Sequence, residues 1–149
     1  MDLAEAKRRD SVLRAYAIAR DWDLSVEARL TRTLIQASYE LLPKYPFLID
    51  WEWEEVPGQS QDGRGDLLFF DGLAAYAVVE VKCISGSGTN TRRRNAVEKQ
   101  ALRYQVAAQT RFPGGHVVAF VFTDDPDYPG LRRPRVRGVG LVPSASSPD

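Results

Sequence analysis

At 149 residues the chain has the length of one domain and can bury a core without staples. Its composition, 44% hydrophobic and 27% charged, argues against a mainly disordered protein. Its 20 basic and 20 acidic side chains cancel, which excludes a global electrostatic pull on nucleic acid and leaves only local patches, Arg92, Arg93 and Arg94, then Arg132, Arg133, Arg135 and Arg137.

Residues 2–22 read as an amphipathic helix, with Leu3, Ala6, Val12, Leu13, Tyr16, Ala17 and Ile18 as an approximate apolar stripe. A second helix is expected over 26–42, capped by Asp23 or Ser25 and stopped by Pro43 and Pro46. Leu30, Leu34, Ala37, Ser38 and Leu41 share one of its faces, Glu27 extends that face, and Glu40 lies elsewhere. Residues 47–56 alternate as a strand, with Trp51 and Trp53 on one side and Glu52 and Glu54 on the other. The two tryptophans suit a core or an interface better than a base-stacking platform.

A loop over 57–63 precedes a short strand, 66–70, and Asp71-Gly72 marks a hairpin turn. Residues 75–82 form the next strand, apolar on both faces until its end, as a central strand should be. Residues 83–95 read as a long flexible loop ending in three arginines. A helix over 96–111 turns Val97, Ala101, Tyr104, Ala107 and Ala108 inward and ends at Pro113-Gly114-Gly115. A buried strand over 117–122, a turn-rich stretch over 124–134 and a last strand over 136–142 follow. The tail, 143–149, is rich in Ser and Pro and is expected to be mobile. The order α-α-β-β-β-loop-α-β-β predicts an α/β domain over 1–142, a mixed sheet flanked by helices.

One cysteine, Cys83, leaves no internal disulfide and fits a reducing intracellular compartment. The N-terminus has no apolar run like that of a secretory signal, and no apolar run is long enough to span a bilayer, so no membrane partner is expected. A single histidine, His116, with that one cysteine cannot build a Cys/His zinc site within one chain. His116 reads as a loop or edge residue rather than part of a nucleophilic triad.

The anomaly is Glu80-Val81-Lys82, two ionisable groups at the end of an otherwise apolar strand. Burying lone charges there is costly, and alternation puts Glu80 and Lys82 on one face. Asp66 begins the partner strand. A two-residue loop at 71–72 would place Asp66 opposite Ala77, on the wrong face. An odd-length connection restores parity: with loop residues 71–73 Asp66 faces Val78, and with 71–75 it faces Glu80 directly. Such cross-strand pairs lie roughly 5–8 Å apart, so a bulge or a longer loop is expected here. Two carboxylates and a backbone carbonyl suit a hard cation such as Mg²⁺ or Mn²⁺. A structural ion-pair network is the alternative for these three side chains.

Asp66, Glu80-Val81-Lys82 and the strand-hairpin-helix order resemble the PD-(D/E)xK nuclease superfamily, which includes restriction endonucleases, Holliday-junction resolvases and RecB-type nucleases. Its α-β-β-β-α-β core would here cover about residues 24–123, with an extra N-terminal helix and a C-terminal strand. Gly65 stands where the family name has Pro. The resemblance implies that Asp66 and Glu80 bind metal and that Lys82 assists the attacking water. Gln100 and Tyr104 resemble the Gln-x-x-x-Tyr element of RecB-type members; a Gln on an inward stripe needs polar partners, though a helix-edge Gln without a role fits the spacing equally. Glu27 resembles the first-helix acid that many members place near the metal, although an acid in a first turn also complements the helix dipole.

The resemblance therefore implies a Mg²⁺- or Mn²⁺-dependent nuclease hydrolysing phosphodiester bonds in DNA, of the kind used in DNA repair or recombination. Catalytic roles fall to Asp66, Glu80, Lys82, Gln100 and Tyr104, and metal ligation to Glu27, Asp66 and Glu80. Arg92, Arg93 and Arg94 would grip the phosphate backbone without reading sequence, unless they form a merely solvated loop. The arginines of 132–137 are better explained as guards of a sheet edge. A catalytically inactive nuclease-fold module for nucleic-acid binding or assembly is the competing expectation. Zero net charge and a small core point to a homodimer or a larger protein partner.

Overall fold

The computed structural model describes residues 1–54, 64–85 and 90–135. The expected loop over 57–63, the strand over 136–142, the tail and the Trp53 side chain lie outside the described residues.

Among the described residues three helices and five strands occur in the order α1 (Leu3–Ala19), α2 (Val26–Leu41), β1 (Phe47–Glu54), β2 (Arg64–Phe70), β3 (Ala75–Lys82), α3 (Asn90–Arg111), β4 (His116–Thr123) and β5 (Gly130–Arg132). These strands form one mixed sheet, β1-β2-β3-β4-β5, in which β3 and β4 run parallel and the other described neighbours antiparallel. A parallel pair needs a crossover, and α3 supplies it. The protein is thus an α/β structure with an open sheet. No helix among the described residues is long and apolar enough to cross a membrane.

Strand alternation divides the core in two. Leu68, Phe70, Tyr76, Val78, Val117, Ala119 and Val121 face α3, whose Val97, Ala101, Tyr104 and Ala108 cover them. Leu67, Phe69, Ala77, Val79, Val81, Val118 and Phe122 face α2, meeting Leu34, Ile35 and Leu42. The buried face of α2 is therefore Leu34, Ile35 and Ser38, while Leu41 is exposed, a rotation of the expected stripe. Ser25 caps α2 by accepting from the Ala28 amide, and Asp23 accepts from the Ser25 amide.

The inward face of α1 differs more sharply from expectation. Leu3, Val12, Tyr16 and Ile18 are exposed, and only Ala6 and Ala17 are buried. Between them the helix presents Asp10 to β1 and Arg14 to α2 and Pro46. Asp10 Oδ1 accepts from the Leu48 amide at 2.8 Å and from Arg14 Nε at 2.7 Å. Arg14 donates onward to Ile35 O, Ser38 Oγ and Pro46 O. An edge strand carries unpaired amides; here a helix side chain takes one of them, next to the β-bulge at Ile49.

The β2–β3 reversal carries the geometry of the site. The last ladder pair is Phe70↔Tyr76, so residues 71–75 form the connection. Asp71 Oδ1 accepts from the amides of Leu73, Ala74 and Ala75, and Gly72 takes a positive φ of 97° that a side-chain-bearing residue rarely adopts.

Two expectations fail after β3. The loop over 83–95 is shorter than expected, because α3 begins at Asn90 and includes all three arginines; Arg is a good helix former, and a long-range pair described below holds this turn. The stretch 124–134, expected to be turns, contains β5, three residues antiparallel to the end of β4.

Candidate active site

Asp66 and Glu80 lie at the end of the sheet away from the 71–75 connection. The ladder runs Leu68↔Val78 and Leu67↔Val79, and its next step sets Asp66 against Glu80 on the face covered by α3. The two carboxyls lie close enough to act strongly on each other's ionisation. Asp66 Oδ2 also accepts from the Val81 amide at 2.7 Å. Glu80 Oε2 is buried and receives no hydrogen bond from any described donor.

This proximity has an electrostatic consequence. Burial raises the Asp66 pKa, and the Glu80 contact and the Val81 amide oppose the shift only in part. Glu80 is pushed up to about 10, first by burial and then by the charge of Asp66. One proton shared between the two acids removes most of their repulsion. A divalent cation would do the same, and two hard oxygen donors, one lacking any donor of its own, fit that role. Both groups also feel the charge of Glu27, and Asp66 feels that of Glu52.

Lys82 and Glu27 lie close by but pair with each other. Lys82 Nζ is 3.7 Å from Glu27 Oε2, with both side chains about half exposed. Glu27 thus reaches across the end of the sheet from α2 to the acid-base strand, but its carboxylate is on the lysine. No group of three or more His, Cys, Asp or Glu side chains that could hold a metal ion occurs among the described residues. Tyr104 and Ala101 line the small space beneath Asp66 and Glu80. Gln100 donates to the Tyr104 hydroxyl at 2.8 Å, so the four-residue spacing on α3 links the two side chains directly.

The three arginines separate. Arg92 is exposed, and Arg93 is half-buried with a long bond of 3.4 Å to Ile84 O. Arg94 is buried and forks onto Asp125 through Nε at 2.5 Å and Nη2 at 2.9 Å, with Nη2 also on Asp127 at 3.1 Å. A backbone-gripping role for Arg94 is therefore corrected: its guanidinium ties α3 to the chain after β4. Arg132 and Arg135 likewise converge on the buried Glu98, whose carboxyl would rise through burial but is held low by hydrogen bonds from both.

Other residues of this region are invisible to motif reading. A cleft between the start of α2 and the β1–β2 ladder is lined by Arg20, Trp22, Glu27, Trp51, Glu52 and Asp66. Glu52 has a φ of 53°, which only a folded structure can reveal and which is strained for a residue with a side chain. No protein-family model, curated protein or solved structure matches the chain.

Proposed function

We propose that the protein is a metal-dependent nuclease of the PD-(D/E)xK type, with a restriction-endonuclease-like core, that hydrolyses phosphodiester bonds in DNA. The observation that carries this reading is the pairing of Asp66 with Glu80 at a sheet end, two residues from Lys82 on the same strand. The order α2-β1-β2-β3-α3-β4 supports it, being the order of that family's core. So does the Gln100–Tyr104 bond beside the acids.

In this reading Asp66 and Glu80 would hold Mg²⁺ or Mn²⁺, with Glu27, here paired with Lys82, as the further acid nearby. When bound, the cation supplies Lewis-acid polarisation of a phosphoryl oxygen. The Val81 amide fixes the Asp66 carboxylate in place. Lys82, on the exposed end of β3, orients the attacking water and steadies charge developing on the phosphate. Tyr104, held by Gln100, closes the inner side of the acid pair against α3. Arg92 and Arg93, rather than Arg94, are the members of the triplet left to meet a phosphate backbone.

A cleavage panel of single-stranded, duplex, flapped and junction DNA, with and without Mn²⁺, tests the proposal. Cation-dependent cleavage is expected, reduced by roughly 10²-fold or more in Asp66→Ala and Lys82→Ala proteins that remain folded. A folded protein that binds Mn²⁺ and cuts none of these substrates refutes it. The Glu27–Lys82 pair favours a second reading, a catalytically inactive nuclease-fold module in which that pair is permanent. Calorimetry separates the two, since the second predicts DNA binding without any divalent-ion binding.

A further inference from the structure

The cleft that contains Asp66 changes character along its length. Near Asp66 it is acidic, with Glu27 and Glu52. Elsewhere along it stand Arg20, Trp22 and Trp51, with the Asp23 carboxylate beside Arg20. The indoles of Trp22 and Trp51 stack at 5.4 Å between centroids with planes 22° apart, and Tyr16 meets Trp51 edge-on at 5.3 Å. The Arg20 guanidinium lies 4.6 Å from the Trp22 centroid, 5.2 Å from that of Trp51 and 5.7 Å from that of Tyr16. Trp22 and Trp51 are only half-buried, and Tyr16 is 53% exposed. Trp51 and Trp22 pack against the α2 side of the core with part of each indole exposed to this cleft, so the expected core or interface role and a binding face coexist.

We infer that the aromatic end of the cleft receives an unpaired polynucleotide strand, with bases against the Trp22–Trp51–Tyr16 surface and backbone beside Arg20. This deepens the nuclease reading, on which it rests, by naming the form of substrate. The acidic end repels a polyanion, so a strand drawn toward Asp66 needs attraction that is not purely ionic. Ring faces supply it, since every base has a π-face and stacking is tolerant of sequence. The bases of a duplex are already stacked on one another, so only an unpaired strand can offer them to an indole. Arg20 adds a cation that its three ring neighbours hold in place. Arg94 of the arginine triplet is held by Asp125 and is not free for this task.

The test uses the whole protein in EDTA, where nothing is cut. Short oligothymidylate, oligouridylate and a DNA duplex of equal length are titrated by anisotropy of a labelled probe and by intrinsic tryptophan fluorescence. Quenching by one or both single strands, and tighter binding of them than of the duplex, is expected. The oligothymidylate and oligouridylate arms tell DNA from RNA. Arg20→Gln and Trp22→Leu should each weaken single-strand binding by about tenfold. Arg20→Gln keeps the indoles in place and so remains informative if Trp22→Leu fails to fold. Unchanged affinity in folded Arg20→Gln, or equal binding of duplex and single strand, overturns the inference. If Mn²⁺ supports cleavage but single strands do not bind here, this inference falls and the nuclease reading stands. If single strands bind here but nothing is cleaved, the nuclease reading falls and the strand site stands.

Discussion

Replacing Glu80 by Gln should stabilise the metal-free protein, and by an amount that grows with pH. In the fold the Glu80 carboxyl is pushed from 4.5 to about 10 by burial and by Asp66. Above pH 4.5 the folded chain therefore holds a proton that the unfolded chain has released. A raised folded-state pKa gives stability that is fully present below the unfolded value and is lost as pH rises. The loss is about 1.4 kcal/mol per pH unit, so pH 7, about 2.5 units above the ordinary value, costs about 3 kcal/mol. Glu80→Gln keeps the size of the side chain, removes its titration and can donate to Asp66. Urea unfolding in EDTA, followed by tryptophan fluorescence from pH 5 to 8, should show the variant gaining steadily on the native protein. Asp66, shifted in the same direction, leaves a residual slope in both. Stability curves for the two proteins that stay parallel across this range would refute the account of a proton shared by two buried acids.

The same proton makes metal binding pH-dependent. Mn²⁺ should bind more tightly as pH rises and release about one proton per ion, read by calorimetry in buffers of different ionisation enthalpy, and saturating Mn²⁺ at about 100 times its Kd should add about 2.7 kcal/mol of stability; Glu80→Gln should lose both effects. Arg94→Ala should destabilise the protein by roughly 3–5 kcal/mol, because Asp125 is left buried without its partner. Arg92→Ala should leave the unfolding midpoint unchanged while weakening DNA binding and lowering its salt slope by about one.

How much of this was legible depended on the distance over which each residue finds its partner. The carboxylate pair was accessible because it is a parity argument about one hairpin: five connecting residues and strict alternation bring Asp66 to Glu80. Helical spacing put Gln100 one turn before Tyr104 but did not name its polar partner, which the structure shows to be the Tyr104 hydroxyl. Arg94 was misread because its acid lies 31 residues onward, beyond any local pattern, and because three consecutive arginines after a Gly/Ser run look like loop. In α1 only Ala6, Leu13 and Ala17 of the apolar stripe turn inward, and the same side carries Asp10, which takes an amide of β1, and Arg14, which reaches α2 and Pro46. The α2 face shifted toward Ile35 and Leu42 since a helix with apolar residues on neighbouring stripes is oriented by its contacts, not by its sequence. The Glu27–Lys82 pair and the Arg20–Trp22–Trp51 cluster join elements whose mutual placement no spacing encodes.

The shortness of the reversal between residues 70 and 76 also bears on kinetics. Loop closure over so few residues is cheap, so the acids at 66 and 80 meet as soon as this hairpin zips, before the crossover helix can bring Tyr104 beneath them. Repulsion between them then acts on the climb to the folding barrier, not after it. Alkaline pH should accordingly slow refolding and leave the unfolding arm of the chevron nearly unmoved, while an acid pair assembled late would accelerate unfolding instead.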